Sequence, residues 1–106
     1  MKKVSLAQMA NLIKKHWAPL DVFKVSDHKV RLVKIQGKYI WHKHNGDELF
    51  LVQKGNMTIH FKNQDVQLGE GEGFVVREGR IHQTEAKEET LVLIFEHQAV
   101  ETIEVK

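Results

Sequence analysis

The sequence contains no cysteine and no hydrophobic run long enough to cross a membrane. Without cysteine among its 106 residues, disulfide frameworks, thiolate zinc sites and cysteine nucleophiles are excluded. No stretch approaches the roughly 18–20 continuous apolar residues of a membrane span, and the N-terminal residues lack an apolar stretch of signal-peptide length. We therefore expect a cytoplasmic protein that does not act at a membrane, folded as one domain over residues 1–106.

An excess of charge of one sign is also missing. The 16 basic and 14 acidic residues give a net charge of +2 and are spread along the chain. This is typical of a solvated surface and not of the focused basic stripe of a nucleic-acid binder. Histidine, by contrast, occurs seven times, and its placement carries the functional argument.

The first 17 residues have the spacing of one amphipathic helix, and the rest of the chain has the pattern of strands. Ser5 and Gln8 fit a capping box for a helix over residues 5–17, and Pro19, the single proline, ends it. Short β-branched and aromatic stretches separated by turn residues then predict an all-β sandwich or barrel. The expected strands are 30–35, 38–44, 48–54, 56–61, 65–68, 73–76, 81–86 and 90–96.

Two of these strands are apolar on both faces. They contain the runs ELFLV (48–52) and LVLIF (91–95). A single sandwich cannot cover both faces of both strands, so one face meets the helix or a second subunit. We therefore expect a homodimer.

The segment HKHNGDE (42–48) has two competing interpretations. His42 and His44 share one face of a strand, where two imidazoles can converge on a metal ion. Asn-Gly, however, is a strong signal for a two-residue hairpin turn, which would place Glu48 on the opposite face beside Lys43. A three-residue loop would instead bring Glu48 to the histidine face, so the metal hypothesis requires that longer loop or a bulge.

A lone histidine opens a later predicted strand and completes the candidate site. His82 follows a turn centred on Gly79, and an antiparallel neighbour would carry it to the same ion as a third imidazole. Three imidazoles and one carboxylate suit one divalent iron, manganese, nickel, cobalt, copper or zinc ion. They also leave coordination positions open, as a catalytic metal requires.

Two separated motifs resemble those of the cupin family. HKHNGDELFLVQKG (42–55) resembles the first cupin motif and GEGFVVREGRIHQTEA (71–86) resembles the second. Seven positions fit these patterns: His42, His44, Glu48, Gly55, Gly71, Gly79 and His82. The likeness covers residues 30–96, and the short gap between the motifs, residues 56–70, is similar to that of small bacterial cupins related to mannose-6-phosphate isomerase.

The resemblance implies a double-stranded β-helix barrel (a jelly roll), often dimeric, with a metal ion held at its mouth by three histidines and one glutamate. Three positions depart from the family pattern. The glycine expected before the first histidine is displaced to Gly37, Arg77 replaces the usual proline, and Ala86 replaces the usual asparagine. None of these departures removes a ligand.

Four further residues are candidates for binding a small-molecule ligand. Arg77 and Arg80 flank the turn before His82, where a guanidinium would hold a carboxylate or phosphate, although both also fit solvated turn positions. Lys38 is expected on the histidine face and Tyr39 on the opposite face. Phe50 continues the face of Glu48 and would form an apolar floor for the ligand.

These features leave three hypotheses for function. A metal-dependent enzyme would act on a small polar molecule, either by oxygen-dependent cleavage or by isomerisation with the metal as a Lewis acid. No unassigned base shares the ligand face in the predicted strands, which favours dioxygenase-like chemistry. The alternatives are a non-catalytic module that senses a metal or small ligand and, last, a purely structural domain.

Overall fold

The computed structural model describes residues 3–106 as nine strands and one short helix. In chain order the elements are α1 Leu6–Ala10, β1 Leu20–Val25, β2 His28–Lys38, β3 His42–His44, β4 Glu48–Lys54, β5 Met57–His60, β6 Asp65–Leu68, β7 Gly73–Val76, β8 Gln83–His97 and β9 Thr102–Glu104. The expected all-β architecture with one N-terminal helix is confirmed. No helix among the described residues is long and apolar enough to cross a membrane, and the cytoplasmic location stays a prediction.

The helix is shorter than expected. It begins after Ser5, whose side chain accepts a hydrogen bond from the Gln8 backbone as predicted, but it ends at Ala10 instead of continuing to residue 17. Beyond it, Ile13 is buried and Trp17 takes a left-handed backbone conformation with φ of 63°. Two hydrogen bonds hold Trp17, from its backbone N–H to Lys34 and from its indole to Gln36. Packing on β2 therefore overrides the helical propensity of this segment.

Strand β8 organises the larger sheet. This sheet has seven strands in the order β1-β2-β8-β4-β7, with β5 pairing both β6 and β8. Along its 15 residues, β8 pairs with β2 on one side and with β4 and β5 on the other. The sequence predicted two strands here, over 81–86 and 90–96, because the exposed polar residues 87–89 resemble a turn.

Strand β3, which carries His42 and His44, lies in a separate two-stranded sheet. It pairs with β9 in antiparallel register, with His42 opposite Glu104 and His44 opposite Thr102. Neither β1 nor β9 was among the strands expected from the sequence. Because β9 has three residues, all exposed, it carries no burial pattern by which the sequence could reveal it.

The inward faces of the strands enclose an apolar core. Alternate residues of β2, β4, β5 and β8 point inward, and the core contains Val33, Ile35, Phe50, Val52, Met57, Ile59, Phe61, Leu68, Val76, Ala86 and Val92. The candidate site lies at one end of this core, where the inward positions become polar. Each strand thus presents its functional side chain through the same alternation that packs the core.

Candidate metal centre

Three histidines converge at one end of the barrel. His42 and His44 are separated by one residue on β3, and His82 is bound to His42 by a reciprocal pair of backbone hydrogen bonds of 2.9 Å each. Their candidate ligand nitrogens all lie within 4.8 Å of one another, and all three side chains are buried. The antiparallel approach expected for His82 is confirmed, and these residues are placed to hold a metal ion.

Backbone carbonyls fix the orientation of each imidazole. The Nδ1 atom of His42 lies 2.8 Å from the carbonyl oxygen of Ile40, and Nδ1 of His82 lies 2.8 Å from that of Arg80. Nδ1 of His44 lies 3.3 Å from the carbonyl oxygen of Glu101. Because a carbonyl only accepts, Nδ1 must donate, which leaves Nε2 unprotonated in the neutral ring. Carbonyl partners of this kind are typical of metal-binding histidines.

Glu48 lies beside the histidines but outside the cluster of three. Its Oε1 atom is 2.9 Å from Nε2 of His44 and 3.9 Å from Nε2 of His82. None of these three atoms has a partner in hydrogen-bond geometry, although all are buried. Unpaired buried polar atoms are costly. A cation between them would satisfy all three, so the donor set fits a divalent ion.

Burial keeps two of the histidines neutral near neutral pH. It lowers the pKa of His42, and it lowers the pKa of His82 to about 4. Burial would also lower the pKa of His44, but contact with the Glu48 carboxylate outweighs it and raises that pKa. The imidazole is a metal ligand in its neutral form, so His42 and His82 are prepared for that role.

The loop between β3 and β4 has the length that the metal hypothesis requires, but it is not a hairpin. Residues 45–47 separate the two strands, and within the described residues β3 pairs with β9 and not with β4. Gly46 has no positive φ. Instead, a Cβ atom there would lie 2.8 Å from Cγ2 of Val100, so the glycine permits a close contact. Glu48 faces the site because β4 alternates, with Glu48, Phe50 and Val52 buried.

A cavity of about 270 Å³ adjoins the histidines. Besides His42, His44 and Glu48, its lining includes Phe50, as expected from the sequence. Its apolar wall is formed by Trp17, Pro19, Val33, Ile35, Tyr39, Met57, Val92, Ile94 and Val100, and its other polar residues are Arg31, Thr84, Glu96 and Thr102. The volume is at the lower end of the range for small-molecule pockets, so a ligand here is small.

The three basic candidates lie outside this cavity. Arg77 is exposed and pairs with Asp47, with NH1 and Oδ2 3.0 Å apart. The guanidinium of Arg80 lies 3.6 Å from the centre of the Phe61 ring, a cation–π contact. Lys38 is exposed at the end of β2. Of the four proposed ligand-binding residues, the structure brings only Phe50 to the cavity.

Two charged residues of the cavity were missed by the sequence reasoning. Glu96 lies directly opposite Glu48 across β4 and β8 and is 5 % exposed. Burial and the neighbouring Glu48 carboxylate raise the pKa of Glu96 to about 7. Arg31 lies on the inward face of β2 beside it. The sequence did contain a signal for Arg31. Its spacing of two residues from Val33 and four from Ile35 places a cation on the apolar inner face of the strand.

Tyr39 also lies in the cavity and not on the face opposite His42. Its ring meets that of His42 edge to face at 5.2 Å and stacks on Trp17 at 5.0 Å. Residues 39–41 lie outside any strand, so strict alternation does not apply between β2 and β3. The predicted strand over 38–44 is therefore wrong in its first half.

Comparison with known proteins identifies the family. The cupin domain model matches residues 30–96. The uncharacterised protein YdbB of Bacillus subtilis (strain 168) is 35 % identical over 104 residues, covering 96 % of this chain and 92 % of that protein. A cupin-2 domain containing protein from Shewanella frigidimarina NCIMB 400 is 34 % identical, with a TM-score of 0.87 over 89 % of this chain and 93 % of its own.

More distant structures share only the fold. Hydroquinone 1,2-dioxygenase from Sphingomonas sp. TTNP3 is 14 % identical, with a TM-score of 0.69 over 88 % of this chain and 69 % of its own. The expected double-stranded β-helix is thereby confirmed. With the family model spanning residues 30–96 and a relative 35 % identical across nearly the whole length, the chain belongs to the cupin family.

Proposed function

We propose that this cupin binds one divalent metal ion through His42, His44, His82 and Glu48. The observation that supports it is the set of buried atoms without partners, Nε2 of His44, Nε2 of His82 and Oε1 of Glu48. The mixed nitrogen and oxygen donors suit iron, manganese, nickel, cobalt, copper or zinc. When bound, such an ion supplies Lewis acidity and, if it is redox-active, electron transfer.

We further propose that the bound ion serves an enzyme acting on a small polar molecule, with dioxygenase-like chemistry. The cavity beside the histidines supports this, because its apolar wall excludes water and positions a small substrate against the ligand residues. The lack of a candidate base no longer argues against isomerisation, since Glu96 lines the same cavity. A closer relation to mannose-6-phosphate isomerase-like cupins stays a prediction.

A non-catalytic binding module is the second candidate. Its support is the small volume of the cavity and the shortage of polar side chains apart from the histidines, Arg31, Glu48 and Glu96. The two candidates differ in turnover. Oxygen uptake by the metal-loaded protein with small enols, thiols and diketones would support the enzyme, whereas saturable binding without turnover would support the sensor.

Metal content tests the shared part of both candidates. We expect untagged wild-type protein to carry close to one equivalent of a divalent ion by elemental analysis, and His82→Ala to lose most of it. The matched control is His97→Ala, because the His97 side chain is 42 % exposed, pairs with Asp27 and is not part of the three-histidine cluster. Wild-type protein that neither carries metal nor gains thermal stability from any of the six ions would contradict the proposal.

We also propose that the protein is a homodimer formed through the outer face of the larger sheet. Cross-strand pairs align Phe23, Val30, Phe95, Leu49 and Val75 in one row over β1, β2, β8, β4 and β7. We call this the outer row. Helix α1 contacts β2, and Phe23 and Val75 of the outer row are 40 % and 38 % exposed. A two-fold pair of such faces would bury both rows.

A further inference from the structure

We propose that Arg31 is the recognition group for an anionic ligand, and that the ligand class of the cavity is small carboxylic acids. This inference rests on the proposed function for its setting, because the cavity adjoins the candidate metal site. Its support comes from the position and contacts of Arg31, and its charge balance also counts the proposed ion.

Arg31 lies where a core residue would be expected. It shares the inward face of β2 with Val33 and Ile35, and all three line the cavity. The two neighbours are 4 % and 3 % exposed. A guanidinium on an apolar inner face is costly unless its N–H groups are paired. The position therefore calls for a partner that satisfies those groups.

The contacts of Arg31 leave its donors poorly satisfied. Its Nε atom is buried and has no hydrogen-bond partner, although Oδ1 of Asp21 lies 3.1 Å away. Its NH1 atom lies 3.6 Å from Oε1 of Glu96, which is longer than a hydrogen bond. A planar guanidinium with five donors matches a carboxylate in bidentate geometry. The Arg31 side chain, 26 % exposed, thus has the carboxylates of Asp21 and Glu96 at ion-pair distance but no hydrogen bond from its buried Nε atom, so an added carboxylate can still pair with the guanidinium.

The local charges select a small anion. Glu96 is the nearest buried carboxylate, and Nζ of Lys29 lies 3.9 Å from its Oε1 atom, whereas the Asp21 side chain is 73 % exposed. A divalent ion at the histidines, together with Arg31 and Lys29, would bring four positive charges against the three negative charges of Asp21, Glu48 and Glu96. A singly charged carboxylate restores the balance. The aromatic wall of Trp17 and Tyr39 then accepts the apolar body of the acid.

The competing interpretation is that Arg31 only neutralises Glu96. The two interpretations predict opposite effects of Glu96→Gln. If Arg31 is structural, removing its partner leaves the cavity with no better affinity for an acid. If Arg31 recognises an anion, Glu96→Gln removes a competing carboxylate and the affinity for an added acid increases.

The experiment is calorimetric titration with benzoate and its neutral isostere benzamide. Each is titrated into the metal-loaded and the chelator-treated full chain. We expect benzoate to bind wild-type protein more tightly than benzamide. Arg31→Gln should lower the affinity for benzoate by roughly tenfold or more and leave the affinity for benzamide unchanged. Glu96→Gln should instead raise the affinity for benzoate several-fold. Arg80→Gln, which removes an arginine outside the cavity, is the control and should match wild type.

Folding is controlled with the double variant Arg31→Gln/Glu96→Gln, which removes the pair without leaving a buried unpaired charge. It should bind benzoate as poorly as Arg31→Gln. The proposal is overturned if benzoate fails to bind wild type, binds no better than benzamide, or binds Arg31→Gln unchanged. Metal content, measured separately on the same samples, tests whether the proposed metal site binds an ion. Arg31-dependent binding to chelator-treated protein would therefore stand even if that site failed.

Discussion

Each histidine of the centre is oriented by a backbone carbonyl that is close in sequence or brought close by a neighbouring strand. Ile40 and Arg80 each precede their histidine by two residues, so these two contacts are local. The third carbonyl comes from Glu101, 57 residues from His44. A spacing of two residues therefore predicts that His42 and His44 share a face, but it cannot predict the contact that orients the ring of His44.

Contacts of single residues also explain why the basic candidates lie outside the cavity. Arg77 and Arg80 are close to His82 in sequence, yet Arg77 pairs with Asp47 and the Arg80 guanidinium lies over the buried ring of Phe61, outside the cavity. Arg31 is distant in sequence from every proposed ligand and is brought to Glu96 only by the pairing of β2 with β8. Proximity along the chain is a weak guide to a cavity built from paired strands.

A pH-dependent contribution to stability is expected at His60. Its hydrogen bonds to Glu85 and Asp65, both 2.8 Å, raise its pKa above the ordinary value of 6.5. A group whose pKa is raised in the folded state contributes its full stabilisation at pH values below the unfolded-state pKa. This stabilisation is lost as the pH rises through the folded-state pKa. His60→Gln should therefore lower the melting temperature by a few degrees near pH 5.5 and have little effect near pH 9.

Thermal unfolding across that pH range checks this expectation. Glu85→Gln should remove most of the same dependence, because Glu85 is the stronger of the two partners. Lys62→Gln, at an exposed position on the same β5–β6 unit, should keep the wild-type profile. A His60→Gln protein equally destabilised at both pH values would show that the histidine acts through packing alone.

At the level of elements, three strands were predicted with accurate limits, whereas β2, predicted over 30–35, extends over His28–Lys38. The expected strands 48–54, 65–68 and 73–76 agree with β4, β6 and β7. The failures are elements defined by contacts distant in sequence. The helix ends at Ala10 because the following residues pack on β2, and β9 exists because it pairs with the histidine strand. Neither cause is visible in local periodicity.

The strand β9 should control the affinity of the metal site without supplying a ligand. Ile103 lies in the middle of β9, opposite Lys43, and its side chain is 45 % exposed. Ile103→Pro removes a backbone N–H and disfavours pairing, so β3 loses its support. We expect metal affinity to fall by about tenfold, measured by titration of chelator-treated protein with zinc.

Ile103→Thr is the matched control, because it keeps the backbone N–H and a β-branched side chain. It should bind zinc as wild type does. Equal zinc affinity in the proline variant would show that the bridge between His42 and His82 holds β3 in position without β9.

For the whole molecule, the apolar character of both faces of β4 and β8 has two separate explanations. The inward face packs in the core, and the outward face forms the outer row. Composition and alternation predicted this division, together with the all-β class. The position of the cavity between the two sheets could not be predicted, because it depends on β9 and on the close contact of Gly46 with Val100.

The proposed homodimer can be tested by changing one residue of the outer row. Val75 is 38 % exposed in the outer row, so a lysine there should be tolerated by the fold but not by a symmetric apolar interface. We expect wild-type protein to have twice the mass of one chain by light scattering after size exclusion, and Val75→Lys to have the mass of one chain.

Ile40→Lys is the matched control, since Ile40 is 37 % exposed and lies away from the outer row. It should remain a dimer. A wild-type protein that stays monomeric at high concentration would leave the outer row without a role in self-association.

The pairing of β8 on both sides has a consequence for how firmly the walls of the cavity are held. Amide hydrogens of a strand bonded on both sides require larger openings for exchange than those of a short strand at a sheet edge. The wall formed by Thr84, Val92, Ile94 and Glu96 belongs to the first kind, and the wall formed by β3 and β9 belongs to the second. One wall of the cavity is thus held by strand pairing on both sides and the other by a three-residue pairing, so we expect the amide hydrogens of β9 to exchange before those of β8 in a hydrogen-exchange measurement.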